Sequence, residues 1–262
     1  MLWFIASHFS KRRCTLRRGP SIPGVVLHAL CPHPHHKLAW DAGTGNGQAA
    51  VSLAEHYEQV IATDVSAAQL QHAFPHPKVR YVHTPLSASD ADFLSALGRE
   101  NSVDIITVAV AVHWFDLPRF YALARRALRK PGGIIAVWSY NYEIAPFEAA
   151  LERFMHSALP YWDDRGKSVI NAYEELPFPF ESVGMGSEGK PLRLDMEHEM
   201  SFDGLIALLR SGSPVVTAKE KGVDLVSEEV VRELQAEWGD TSVVRKVTFK
   251  AFMLVGTPKL EG

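Results

Sequence analysis

The run Leu38-Ala39-Trp40-Asp41-Ala42 reads as a buried strand carrying one acid, and Gly43-Thr44-Gly45-Asn46-Gly47 follows with glycine at every second position. A helical pattern begins directly afterwards, at Gln48. Glycines in such a turn let the backbone take positive φ and let a ligand approach the main chain. The helix presents unpaired N–H groups and the positive end of its dipole to whatever sits there. A second acid closes the next apolar run, Val60-Ile61-Ala62-Thr63-Asp64, where a carboxylate can accept from both hydroxyls of a ribose. Together these point to a nucleoside-containing ligand held at the carboxyl end of a sheet.

Two kinds of nucleotide site use this arrangement. A dinucleotide site wants G-x-G-x-x-G, which from Gly43 requires glycine at position 48; the chain has Gln48, with Gly47 before it. The spacing G-x-G-x-G led by Asp41 resembles the cofactor loop of class I S-adenosylmethionine-dependent methyltransferases. No Tyr-x-x-x-Lys pair follows the fifth strand, which further disfavours an NAD-dependent oxidoreductase.

The 262 residues suit one large α/β domain, and 47% hydrophobic content with a net charge of −3 is ordinary for a soluble protein. That charge gives no global attraction to nucleic acid, and no apolar run approaches the ~20 residues that span a bilayer. Cys14 and Cys31 form no disulfide framework, which fits a reducing, cytoplasmic compartment. Residues 1–37 hold no Asp or Glu but several Arg and Lys, and are expected to be a divergent basic leader, disordered or an organellar transit peptide. Cys31-Pro32-His33-Pro34-His35-His36 matches no standard zinc spacing, so no metal site is expected.

From residue 38 onward strands and helices alternate. Helix is expected from Gln48 to about Tyr57, and a short one capped by Ser66 runs through Ala73. Val79–His83 alternates as a third strand, and Ser89 with Asp92 makes a capping box for a helix ending at Gly98. Val103–Ala111 reads as a fourth strand, buried on both faces. Asp116 caps a helix that Pro131-Gly132-Gly133 stops, and Ile134–Trp138 is a fifth strand. From Asn141 the rhythm breaks, and 141–190 is expected to be a cap insertion. A strand near 192–196, helices at 201–210 and 227–238, and a last strand at 247–255 complete the chain. The pattern predicts a seven-stranded α/β sheet with helices on both faces.

Two further runs narrow the resemblance: Val112-His113-Trp114-Phe115-Asp116-Leu117-Pro118 and Lys130-Pro131-Gly132-Gly133-Ile134-Ile135-Ala136-Val137-Trp138. With Leu176-Pro177-Phe178-Pro179-Phe180 and Thr217-Ala218-Lys219, they are similar to plant embryo-abundant-protein-like and trans-aconitate methyltransferase-like class I enzymes, over roughly 38–258. The resemblance implies a Rossmann-like sheet of strand order 3-2-1-4-5-7-6 with the last strand antiparallel, and S-adenosylmethionine as cofactor. It implies that Asp41, Gly43, Thr44, Gly45 and Gly47 surround the methionine part. Asp64 and Val65 would meet the ribose, and Ala109, Val110 and Trp114 would border the sulfonium and adenine. Relatives commonly carry Gln where this chain has Val110, and Trp where it has Gly212.

Methyl transfer from a sulfonium asks mainly for alignment and exclusion of water. A carboxylate acceptor needs no base, whereas a phenol or amine does, and His113 is the candidate base or else a packed ring. Trp114, Trp138, Tyr140, Tyr161 and Trp162 are expected to line or cover the cleft. Arg193 and Arg210 are candidates to hold an acidic substrate, with Arg210 preferred. The expectation is O-methylation of a small carboxylic acid by a monomer that takes a small-molecule substrate, with no nucleic-acid or membrane partner. The alternative is a degenerate methyltransferase fold acting as a weak cofactor-binding or interaction domain.

Overall fold

The computed structural model describes residues 36–259, so the expectations for the leader lie almost wholly outside the described residues. Five parallel strands lie at its centre: β1 (Leu38–Ala42), β2 (Gln59–Asp64), β3 (Val79–His83), β4 (Ile105–Ala109) and β5 (Ile134–Ala145), in the order 3-2-1-4-5. The last strand, β8 (Arg245–Thr257), runs antiparallel to β5, pairing Ile135 with Gly256, and β7 (Leu192–Met200) runs antiparallel to β8. Counting β7 and β8 as sixth and seventh reproduces the expected order. A two-residue strand, β6 (Glu181–Ser182), makes the sheet eight-stranded rather than seven-stranded. It arises because β7 covers β8 only between Arg245 and Met253, leaving edge positions at Gly256 and Thr257 for β6 to pair.

Adjacent residues of the central strands feed opposite cores, as the two-residue repeat of a strand requires. Ala39, Ile105 and Ile134 join the core that carries α1 (Gln48–Ala54), α5 (Glu148–Ala158), α7 (Phe202–Ser211) and α9 (Glu228–Trp238). Trp40, Ile106 and Ile135 join the other, with α3 (Asp90–Leu97), α4 (Leu117–Ala127) and α6 (Lys167–Ile170). The short α2 (Ala67–Gln71) starts at Ser66, whose side chain accepts from the Gln69 N–H. The capping box at Ser89 and Asp92 and the Asp116 cap both form.

Two elements differ from the sequence reading. β5 continues to Ala145, past the expected break at Asn141, because β8 is long enough to pair with it across a bulge between Tyr140 and Ile144. α8 (Ser213–Glu220) is a helix absent from the sequence reading; its proline sits in the first helical turn, where the missing N–H has no partner to lose.

Candidate active site

The strand order reverses between β1 and β4, and their carboxyl ends open a crevice there, where open α/β sheets bind ligands. Gly43, Gly45 and Gly47 all take positive φ (69°, 57° and 87°). The Gly43 and Thr44 N–H groups donate to the Thr63 carbonyl at 2.9 and 3.0 Å, binding the turn to the end of β2. Both oxygens of Asp64 accept main-chain N–H bonds, one from Gly45 and one from Ser66, each at 2.8 Å. A Cβ on Gly43 would lie 2.7 Å from that of Ala111, so only glycine lets the turn pack against the β4 loop. At Gly45 a Cβ would meet nothing, so the middle of the turn borders open space.

Asp41 sits behind this turn, fully buried, and accepts from the Thr44 hydroxyl at 2.6 Å and the Thr107 hydroxyl at 2.7 Å. Burial pushes its carboxyl up to about 6, the two hydroxyls oppose the rise, and the nearby Asp64 charge adds to it. Asp41 therefore shapes the turn from beneath.

On the β4 side, Val110 holds φ at 54° and its N–H donates to the Trp138 carbonyl at 2.9 Å. A β-branched residue in that region costs roughly 1–3 kcal/mol, strain of the kind that collects at ligand sites. A 3₁₀ turn, Val112–Trp114, follows and sets His113 against Trp114 with ring centroids 4.9 Å apart. The His113 ring is nearly buried, with Nδ1 3.5 Å from the Tyr173 hydroxyl. Burial drops its pKa to about 4; the Arg165 charge lowers it further and Asp163 opposes. The imidazole is neutral at pH ~7.

Arg165 closes the wall: its guanidinium lies 5.0 Å from the Trp114 ring centre, and Asp163 takes its Nε and Nη2 at 2.9 and 3.0 Å. The Asp163 carboxyl is held down at about 2, chiefly by the hydrogen bond from Arg165. Nη1 of Arg165 has no partner among the described residues.

These residues border one cleft of about 1100 Å³. That exceeds the ~300–1000 Å³ typical of a single drug-sized ligand. Gly43, Asp64, Val65, Val110, His113 and Trp114, all singled out in the sequence, line it. Asp41, Thr44, Gly45, Gly47 and Ala109 lie outside its lining and build the turn and strand ends behind it. Of the expected aromatic residues, Trp114, Tyr140 and Trp162 line the cleft; Trp138 is core, and Tyr161 sits beneath Lys221.

Arg210 is a correction. It is exposed and outside the lining, whereas Leu208, Ser211, Gly212 and Ser213 line the cleft. Two residues along a helix turn the side chain by roughly 200°, so with Leu208 inward Arg210 points out. Arg193 is also outside, paired on the surface with Glu174 at 2.6 Å. Two lining cations were missed by the sequence reading: Arg119, held by Asp90 and the Ala88 carbonyl, and Arg165, in a Pro- and aromatic-rich stretch with no periodicity to show its direction. Missed too were Thr84, Pro85 and Leu86 after β3, although their place at a strand's carboxyl end was a usable signal. One face of α5 (Glu148, Glu152, Met155) also lines the cleft.

Comparison with known proteins agrees with this geometry. Residues 40–137 match the methyltransferase-domain family. The chain is 30% identical over 203 residues to a malonyl-[acyl-carrier protein] O-methyltransferase of Dechloromonas aromatica, covering 77% of this chain and 68% of that one. A solved structure from Anaeromyxobacter dehalogenans, provisionally classed as a type II methyltransferase, superposes with a TM-score of 0.75 at 31% identity, over 92% of this chain and 99% of that one. The chain belongs to the class I S-adenosylmethionine-dependent methyltransferases. A Dictyostelium discoideum protein provisionally classed as a methyltransferase is 28% identical over 228 residues, covering 83% of this chain and 81% of that one.

S-adenosylmethionine is accordingly the cofactor of this methyltransferase, and the residues present fit it. Each Asp64 oxygen accepts one N–H and keeps a lone pair for a ribose hydroxyl. Gly43 lines the cleft with main chain and no side chain, which lets a ligand approach closely. Trp114, in the same cleft, offers an aromatic face of the kind that attracts a cation.

Proposed function

We propose that this methyltransferase O-methylates a small carboxylic acid to its methyl ester. The observation that carries this reading is Arg165, a cation on the cleft wall stacked on Trp114, with one guanidinium nitrogen unengaged beside a neutral His113. Such a wall can bind a carboxylate through charge and hydrogen bonding together. S-adenosylmethionine supplies an electrophilic methyl on sulfur: an acceptor oxygen uses its own lone pair for the new O–C bond, and the S–C pair stays on sulfur. An acid already ionised at neutral pH loses no proton in that exchange, so a histidine whose pKa lies near 4 is no handicap. The volume of the cleft leaves room for an acceptor beside the cofactor. The Dechloromonas aromatica relative, by its name, also methylates an oxygen on a malonyl group.

The remaining work of the chain is orientation and drying. Tyr140, Met155, Trp162 and Ile170 give the cleft apolar lining, beside Glu148 and Glu152 of α5. Removing water strengthens the grip of Arg165 on a carboxylate and holds nucleophile and methyl in line. A labelled-methyl assay over small mono-, di- and tricarboxylates, phenols and amines tests the reading. Base-labile label on the acids is the expected result; label only on phenols or amines, or on none of these classes, would overturn it.

A further inference from the structure

Tyr173 carries a fully buried hydroxyl that the proposed reaction leaves unused. It lies just beyond α6, and both it and Ala172 hold positive φ, at 62° and 50°. A buried aromatic residue adopts that conformation only when its surroundings dictate where the ring must go. Here the ring packs edge-on against Phe252, 4.9 Å between centroids, and carries its hydroxyl to His113 Nδ1 at 3.5 Å.

We propose that Tyr173 is a positioning residue that holds His113 in the Nε2–H form, so that the cleft meets a hydrogen-bond donor there and not a base. The direction of the Tyr173–His113 contact follows from donor and acceptor strengths. A phenol is a good O–H donor, and an unprotonated imidazole nitrogen is a good acceptor. The Ser139 hydroxyl donates to the Tyr140 carbonyl at 3.4 Å, so Nδ1 is the acceptor left to the Tyr173 proton. With Nδ1 accepting, the proton of the neutral ring sits on Nε2. Nε2 has no partner among the described residues and is not a buried orphan, so it opens on the cleft that His113 lines.

The consequence rests on the proposed carboxylic acid substrate: Nε2–H and Arg165 present two donors to one acceptor carboxylate, each suited to an oxygen other than the one receiving the methyl. The same arrangement cannot take a proton from a phenol or amine at Nε2.

Side-chain ¹⁵N NMR of the free wild-type protein at neutral pH reads the tautomer with no substrate present. Nε2–H is expected for His113, and an Nδ1–H ring would overturn the proposal. Tyr173→Phe removes only the oxygen, and should give a mixed tautomer and a KM for the accepted acid raised roughly three- to tenfold, with kcat changed less. A Tyr173→Phe protein that keeps the wild-type tautomer and KM would overturn the role of Tyr173. An Nε2–H ring in a protein that methylates no acid would leave Tyr173 as the positioning residue and count against the substrate class alone.

Discussion

The Thr107 hydroxyl donates to the Asp41 carboxylate at 2.7 Å, tying β4 to β1 directly beneath the glycine turn. Burial raises that carboxyl from 3.8 to about 6, so the folded protein holds this proton where the unfolded chain has released it. Stability contributed at this site is therefore greatest below the unfolded value and falls as pH rises to about 6, by roughly 3 kcal/mol in all. Asp41→Asn removes the titration, so its stability relative to wild type should rise with pH across that window. Urea unfolding at several pH values measures this, and a pH-independent difference between the two proteins would contradict it.

Gly47 and Tyr81 leave no room for a side chain between them. A Cβ on Gly47 would run into the Tyr81 hydroxyl, which itself donates to the Phe74 carbonyl at 2.7 Å. Gly47→Ala should cost about 2–4 kcal/mol, combining the positive-φ penalty with displacement of a packed ring. Gly45→Ala meets open space and should cost only about 1–2 kcal/mol, acting mainly on cofactor binding. Thermal unfolding of the two variants should rank them in that order.

Asp64 accepts two main-chain N–H bonds, one from the glycine turn, and lines the cleft. Asp64→Ala should weaken binding of S-adenosylhomocysteine roughly tenfold to a hundredfold, about 1.5–3 kcal/mol, as charge-assisted bonds are lost. Isothermal titration reads this directly; unchanged affinity would remove Asp64 from the site.

Arg165 and Arg210 should separate in kinetics. Arg165→Ala should raise the KM for the accepted carboxylic acid about tenfold or more, because the proposed contact would be made before and during transfer and Asp163 is left unopposed. Arg210→Ala, on the outer face of α7, should leave KM unchanged. A KM that responds to Arg210 and ignores Arg165 would reverse the assignment.

Much of the cofactor side was legible from residue order alone. The strand-turn-helix at 38–48 and the acid at 64 depend on local conformation and on a two-residue side-chain repeat, both written in consecutive residues. The caps at Ser66, Ser89 and Asp116 were readable for the same reason. The acceptor side was not. Arg165 and Tyr173 come from a segment without periodicity, and their direction depends on which strands and helices that segment packs against.

Sequence by itself determined the kind of sheet, the glycine turn and the acid that ends β2, because short-range sterics and hydrophobic alternation decide those within ten or twenty residues. Tertiary structure alone decided that Asp41 is buried behind the turn, that Arg210 points outward, and that His113 meets Tyr173 sixty residues away. Those outcomes turn on burial, which sets charge and protonation, and burial exists only once β1, β4, β5 and the 141–190 segment have closed around the same cleft.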